Sequence, residues 1–276
     1  MVSATVTQLE TSSPVGRLLK HWRGVRRMSQ LDLALAAEIS ARHLSFVETG
    51  RAQPSREMVL RLATALDVPL RERNALLHAA GYAPSYPESG LEAPELAQAR
   101  KALQFMLDAH EPFGAIVTDR RWNVVMANQG AMRLMAFLLP WLATDPPETI
   151  NVKRLLFAEN GLKNYLTNWE QLAEHQLRSL QREVAAGNDP ELADLLQEIQ
   201  AYPGVPKHLL VPDFSMPSVP LLSLNVRKGD VELNLFTMIS TFGTPQDVTL
   251  QELRIESFFP TDEATEAAWR KLGEGG

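Results

Sequence analysis

Through the first eighty positions, apolar residues recur three and four apart. Val15, Leu18, Leu19, Trp22 and Val25 form one stripe; Leu33, Ala34 and Ala37 a second; Leu44 and Val47 a third; Met58, Val59, Leu62 and Leu66 a fourth; and a fifth run covers about Leu70 to Ala79. That period predicts amphipathic helices. Cap residues place their starts: Ser29, with Asp32 three positions on, opens a helix at Gln30, while Ser40 and Ser55 open two more. Gly50 supplies a stop after the third stripe. Ile39 follows a turn of three or four residues, and small Ala34 sits where the second and third helices cross, the layout of a helix-turn-helix.

The pattern changes near residue 81. GYAPSYPESGLEAPEL (81–96) holds three prolines and two glycines and reads as a linker. Residues 95–110 are helical in pattern, and AIVTDRRWNVVMAN (115–128) reads as a hairpin turning at Asp119–Arg121. Helical periodicity fills 129–200, broken at Pro140, 145–148, Asn160–Gly161 and Gly187–Pro190. From Pro217 three strand-like runs follow: VPLLSLNV, VELNLFTMISTF and LQELRIESFF. The expected fold is therefore multidomain. A five-helix all-α domain (14–80) precedes an α+β domain (97–267) with a five-stranded antiparallel sheet and inserted helices, flanked by a flexible N-terminus (1–13) and a C-terminal tail (268–276).

The 276 residues carry a net charge of −6, which alone argues against a nucleic-acid partner. Divided at residue 84, the figure separates into +4 for the small helical part and −10 for the rest. That asymmetry is expected when one part meets a polyanion. Zero cysteines exclude disulfides, Cys-based metal sites and thiol chemistry. The longest apolar run, Leu134 to Leu142, is short and contains Pro140, and no signal peptide is legible, so the expectation is a cytoplasmic protein without membrane insertion. The six histidines are scattered, with no nucleophile elbow, P-loop or zinc motif, so no enzyme, cofactor or metal is expected. Glu252 and Glu256 read as solvated acids of an amphipathic strand.

In a helix-turn-helix the second helix enters the major groove. Its outward positions are Ala41, Arg42 and Ser45, with His43 beside them; Arg42 is the candidate reader of guanine O6 and N7. Gln30, Ser40, Arg51, Ser55 and Arg56 are candidate backbone contacts. A single head reads few base pairs, so a homodimer on double-stranded operator DNA is expected. In the second domain the inserted block is rich in flexible and aromatic side chains: Met126, Met132, Met135, Phe137, Trp141, Phe157 and Trp169, with Leu224, Phe236 and Met238 on flanking strands. Such surface suits a pocket for a small apolar ligand, with Arg154, Asn168, His175 and Arg178 as candidate head-group anchors.

The spacing of the helices resembles the lambda-repressor-like (XRE-type) DNA-binding domain. Glu38 departs from it, standing at a turn position where that family often has Gly. Beyond it, SARHLSFVETGRAQPSREMVLRLATALDVPLRERNALLHAAGYAP, AIVTDRRWNVVMAN, NVKRLLF, NWEQLA and TFGTPQDVTLQELRIESFFPTDEAT are similar to the MmyB-like family of bacterial XRE regulators over about residues 14–267. The resemblance implies a PAS-like sensor domain, similar to fatty-acid-binding members, behind a DNA-binding head. Two functions stay open: a transcription regulator controlled by a fatty-acid-like effector, or one whose second domain serves only dimerisation or protein docking.

Overall fold

The computed structural model describes residues 13–187, 189–205 and 222–274; the expected N-terminal segment up to residue 12 and the start of the first late strand, 217–221, lie outside them. The chain divides into two compact units, one holding everything up to Ser89 together with Thr244–Gln251, the other Gly90–Gly243 and the chain from Glu252 on.

Five helices build the first unit: α1 (Pro14–Val25), α2 (Gln30–Ala36), α3 (Ala41–Glu48), α4 (Arg56–Ala65) and α5 (Leu70–Ala79). Ser13, Ser29, Ser40 and Ser55 each accept a backbone N–H of the first turn, and Ser29 with Asp32 forms a complete capping box. Helix α5 opens after Pro69 without a side-chain cap of its own. Gln251 supplies it from far along the chain, its Oε1 accepting Leu70 N–H at 2.6 Å. Leu19, Leu33, Leu44, Val47, Leu62 and Leu77 are fully buried at the centre.

All five helices end the same way. Arg27, Glu38, Gly50, Asp67 and Gly81 have positive φ, and the following residue donates back to a carbonyl five residues earlier, as Ile39 does to Ala34 at 2.9 Å. Only two of these five residues are Gly. Glu38→Gly should therefore raise the melting temperature of this unit, by about 0.5–1 kcal/mol of stability, because glycine adopts φ of +54° without the Cβ penalty. A lower melting temperature in calorimetry would count against the left-handed turn.

The segment expected to be a linker is tied to the first unit as far as Ser89. Asn74 Oδ1 accepts Ser85 and Tyr86 N–H at 3.0 and 3.1 Å, Tyr82 Oη donates to Pro54 O, and Arg71 pairs with Glu88. Val248 N–H donates to Pro87 O at 2.8 Å, and Asp247 Oδ2 accepts Ser89 N–H.

The second unit contains α6 (Ala97–Ala109), β1 (Ala115–Thr118), β2 (Val124–Ala127), α7 (Gln129–Leu138), α8 (Val152–Phe157), α9 (Trp169–Ala186), α10 (Pro190–Gln200), β3 (Leu224–Lys228) and β4 (Val231–Ser240). After α11 (Val248–Glu252) come β5 (Arg254–Pro260) and α12 (Glu263–Glu274). The five strands form one antiparallel sheet in the order β2-β1-β5-β4-β3. Two expectations need correction. Leu250 and Gln251 are helical rather than strand, because the Asp247 carboxylate caps α11 by accepting Thr249 N–H at 2.8 Å. Nor is 268–274 a tail: α12 runs through it, Trp269 is buried, and its indole donates to Pro112 O. Among the described residues no helix is long and apolar enough to cross a membrane.

Candidate DNA-reading helix and ligand cavity

Helix α3 buries Leu44 and Val47 against the first unit's core, which turns Arg42 outward. The Arg42 guanidinium lies over its own helix, 5.4 Å from the Phe46 ring centroid, and is exposed. Ala41, His43 and Ser45 are half-buried beside it. Arg51 is exposed just beyond the helix; Arg56 is exposed too and donates to Ser85 Oγ. Ser40 and Ser55 spend an acceptor lone pair on capping and keep a hydroxyl hydrogen to give.

One buried acid ties the motif together. Glu48, 4% exposed at the end of α3, accepts Arg23 Nε and Nη2 from α1 at 2.8 and 3.1 Å and Gln30 Nε2 from α2 at 2.7 Å. Its carboxylate holds the Arg23 guanidinium above its usual range. One amide hydrogen of Gln30 is thus used internally. Helix α3 is fixed to both preceding helices by a charge-assisted network.

In the second unit a cavity of about 310 Å³ opens between the inserted helices and the sheet. Leu134, Met135, Leu138, Leu172, Leu224 and Phe258 give it apolar walls, while Lys153, His175, Gln176 and Glu256 make one polar region. A second cavity, about 250 Å³, shares Leu134, Met135, Val152, Leu162 and Phe258 with the first and is lined by apolar residues throughout, Met132 and Ile150 among them.

Of the fourteen ligand residues expected from the sequence, Met132, Met135, His175 and Leu224 line these spaces. The others do other work. Arg154 faces away and pairs with Glu198 at 2.8 Å, and Arg178 pairs with Glu174 one turn back. Asn168 ties Ser223 O and Asn225 N–H. Phe157 and Trp169 meet edge to face in the core; Phe236 stacks on Phe259. Phe137 packs on the core under Lys228, Trp141 donates its indole to Asn160 O, Met126 sits half-buried on β2, and Met238 is exposed. The head-group anchors Arg154, Asn168 and Arg178 are corrected accordingly: each is occupied by a protein partner.

Sequence reasoning missed the polar region's main groups. Lys153 is 2% exposed; its Nζ donates to Gln176 Oε1 and lies 3.6 Å from the centroid of the Trp122 ring. Burial pushes its ammonium down to about 8, against the pull of Glu183 and Glu256. Burial pushes the Glu256 carboxyl up from its ordinary value, and the area this half-buried residue exposes lines the cavity, so it is no surface acid. His175 is lowered, first by burial and then by Arg182 and Lys153. Trp122 holds φ of +68°, uncommon for a bulky residue, in a turn where Asp119 Oδ1 accepts Arg121 and Asn123 N–H. Its indole donates to Glu183 Oε2 at 3.1 Å, which also accepts Arg254 Nη2 at 3.0 Å.

A charge buried at this depth costs stability. Below pH 8 Lys153 is protonated in both native and unfolded chains, and the native state carries the penalty; between about 8 and 10.5 the unfolded chain binds more protons, so rising pH removes it. Lys153→Met is therefore expected to be more stable than the natural chain at neutral pH, and the gain should shrink from pH 8 to 10.5 in denaturant titrations.

A family model described as MmyB-like transcription regulator ligand binding domain matches residues 99–272. The chain belongs to that family. A helix-turn-helix domain model matches residues 14–76, so this MmyB-like chain carries a DNA-binding head ahead of its ligand-binding domain, the make-up of a transcription regulator. Three solved structures are similar to parts of it. The restriction-modification controller protein C.AhdI from Aeromonas hydrophila is 33% identical, covering 22% of this chain and 92% of that one, with a TM-score of 0.21. The clp gene regulator ClgR from C. glutamicum is 26% identical over 25% of this chain and 86% of its own (TM-score 0.23). An RNA-binding Light-Oxygen-Voltage receptor is 12% identical over 96% of this chain and 63% of its own (TM-score 0.27). No curated protein matches the MmyB-like chain.

Proposed function

We propose that this MmyB-like chain is a cytoplasmic, ligand-responsive regulator in which two copies present α3 to neighbouring major-groove half-sites, and an apolar, fatty-acid-like effector in the second unit biases operator affinity. The observation that carries this reading is the pair of neighbouring cavities with five lining residues in common, one wholly apolar and one with a single polar region, a chemistry suited to a long-chain amphiphile. The sheet order 2-1-5-4-3, with helices between β2 and β3, supports a PAS-like sensor. Arg42, Ala41 and Ser45 face the bases with His43 beside them, and Gln30, Ser40, Arg51, Ser55 and Arg56 meet the backbone. If effector and operator each prefer one arrangement of the dimer, each changes the other's affinity by the same factor.

Mass spectrometry of the purified chain under native conditions should find a co-purified single-chain lipid, and adding it back to stripped protein should shift operator affinity. A chain that carries no lipid, binds none, and holds its operator equally with or without any acyl compound would instead support a docking or dimerisation module. Light scattering that gives a monomer on and off DNA would remove the dimer.

A further inference from the structure

Lys153 has an unmet requirement. An ammonium has three hydrogens to donate, and the Lys153 Nζ gives one to Gln176 and rests on the Trp122 ring. Among the described residues no carboxylate comes within salt-bridge distance of it, although the side chain is almost wholly buried. Glu183 is engaged by Arg254 and the Trp122 indole, and one Arg254 nitrogen, Nη1, is itself buried without a partner. Glu256 belongs to the same polar region, where burial shifts its carboxyl towards the protonated form, and Arg182 adds positive charge beside His175. Lys153 and Arg254 thus share this region with Glu183 and Glu256, and the hydrogen-bond partner of Nζ among the described residues is the neutral Gln176 amide. Isolated buried charge is expensive unless paired, and the open side of this one is the cavity.

We propose that the cavity selects a molecule with an anionic carboxylate head, which pairs with Lys153 beside Gln176 and His175 while its chain runs past Met135 and Phe258 into the apolar space, so that Lys153 is the residue that distinguishes an acid from the corresponding alcohol or ester. This deepens the effector reading and rests on it. The carboxylate supplies a negative partner at ion-pair distance and accepts hydrogens that Nζ has left to donate beside Gln176. An alcohol head offers a weaker acceptor and leaves the ammonium without that partner. Lys153, rather than a surface arginine, suits this role because a buried charge makes the empty site pay for its polarity and so rewards the matching head group.

The test uses the full chain stripped of lipid, with dodecanoate, 1-dodecanol and methyl dodecanoate as probes in displacement of a fluorescent fatty acid. At pH 7 the acid is expected to bind at least tenfold more tightly than the alcohol or ester. The carboxylate stays ionised from pH 7 to 10, so its preference should fall as the pH passes about 8 and Lys153 loses its proton. Lys153→Met should bring the three probes within about threefold of one another while still binding the alcohol, and Glu256→Gln should keep the acid preference. Equal binding of acid and alcohol by the natural chain, or an unchanged preference in Lys153→Met, would overturn the assignment of Lys153 and leave the cavity reading intact. Failure of all three probes to bind the natural chain would overturn both.

Discussion

Arg23→Ala should destabilise the DNA-binding unit by about 3–5 kcal/mol, the cost of leaving a buried carboxylate without its cation. Glu48 is 4% exposed, and Arg23 gives it two hydrogen bonds from α1; Gln30 alone would remain to face the charge. Since whole domains are stable by roughly 5–15 kcal/mol, that loss should lower the first calorimetric transition sharply and abolish DNA binding at moderate temperature. Replacing both partners should do less harm than replacing one. Arg23→Met with Glu48→Leu removes the charge along with its partner, and similar volumes can refill the space. The double variant is therefore expected to melt close to the natural chain, while the single Arg23 variant does not. If Arg23→Ala melts within about 0.5 kcal/mol of the natural chain, the pair does not anchor α3.

The same pair shows what was readable from the residues alone. Three helix starts in the first unit, after Ser29, Ser40 and Ser55, were legible because a serine hydroxyl does one local job, accepting the N–H three residues on, and that job needs no knowledge of the fold. Two of the five helix ends were not legible. Arg27 and Asp67 adopt the left-handed turn that glycine takes at residues 50 and 81, and nothing in their chemistry announces it, whereas Glu38 showed itself only as a departure from a turn glycine in the resembling family. Gln251 as the cap of α5 was out of reach for another reason: it lies 181 residues away from Leu70, and only the folded chain brings the two together.

In the ligand-binding domain the strand order of types was plain from alternating patterns, but the facing of individual polar residues was not. Lys153 and Arg154 are neighbours in the chain, and Arg is the better general binder of carboxylates, so chemistry alone favoured Arg154. Helix α8 is only six residues long and buried on most sides, so one of its two cations had to go inward, and Asn151, accepting both Lys153 and Arg154 N–H, sets the phase that sends Lys153 there. Glu256 was hidden by a similar step. Its strand pairs on both edges, with β1 and with β4, so no position on it is peripheral, and the alternation that puts Ile255 towards one face puts Glu256 and Phe258 towards the cavity.

Arg42→Ala should cost operator binding about 1–3 kcal/mol, roughly ten- to hundredfold, while leaving the fold unchanged, because Arg42 is exposed and, among the described residues, rests on the ring of Phe46 on its own helix. The geometry separates two kinds of loss. A fork that reads guanine O6 and N7 carries sequence preference, so sites selected from random DNA by the Arg42 variant should lose their base preference at one position in each half-site. A cation that meets only phosphate lowers affinity for every sequence alike and reduces the slope of affinity against salt by about one. Arg51, exposed beyond the end of α3, is placed for the second behaviour, and Arg51→Ala is the matched control. Selected sites that are identical for Arg42→Ala and the natural chain, with only a changed salt slope, would move Arg42 from the bases to the backbone and leave Ala41 and Ser45 as the remaining readers on that face.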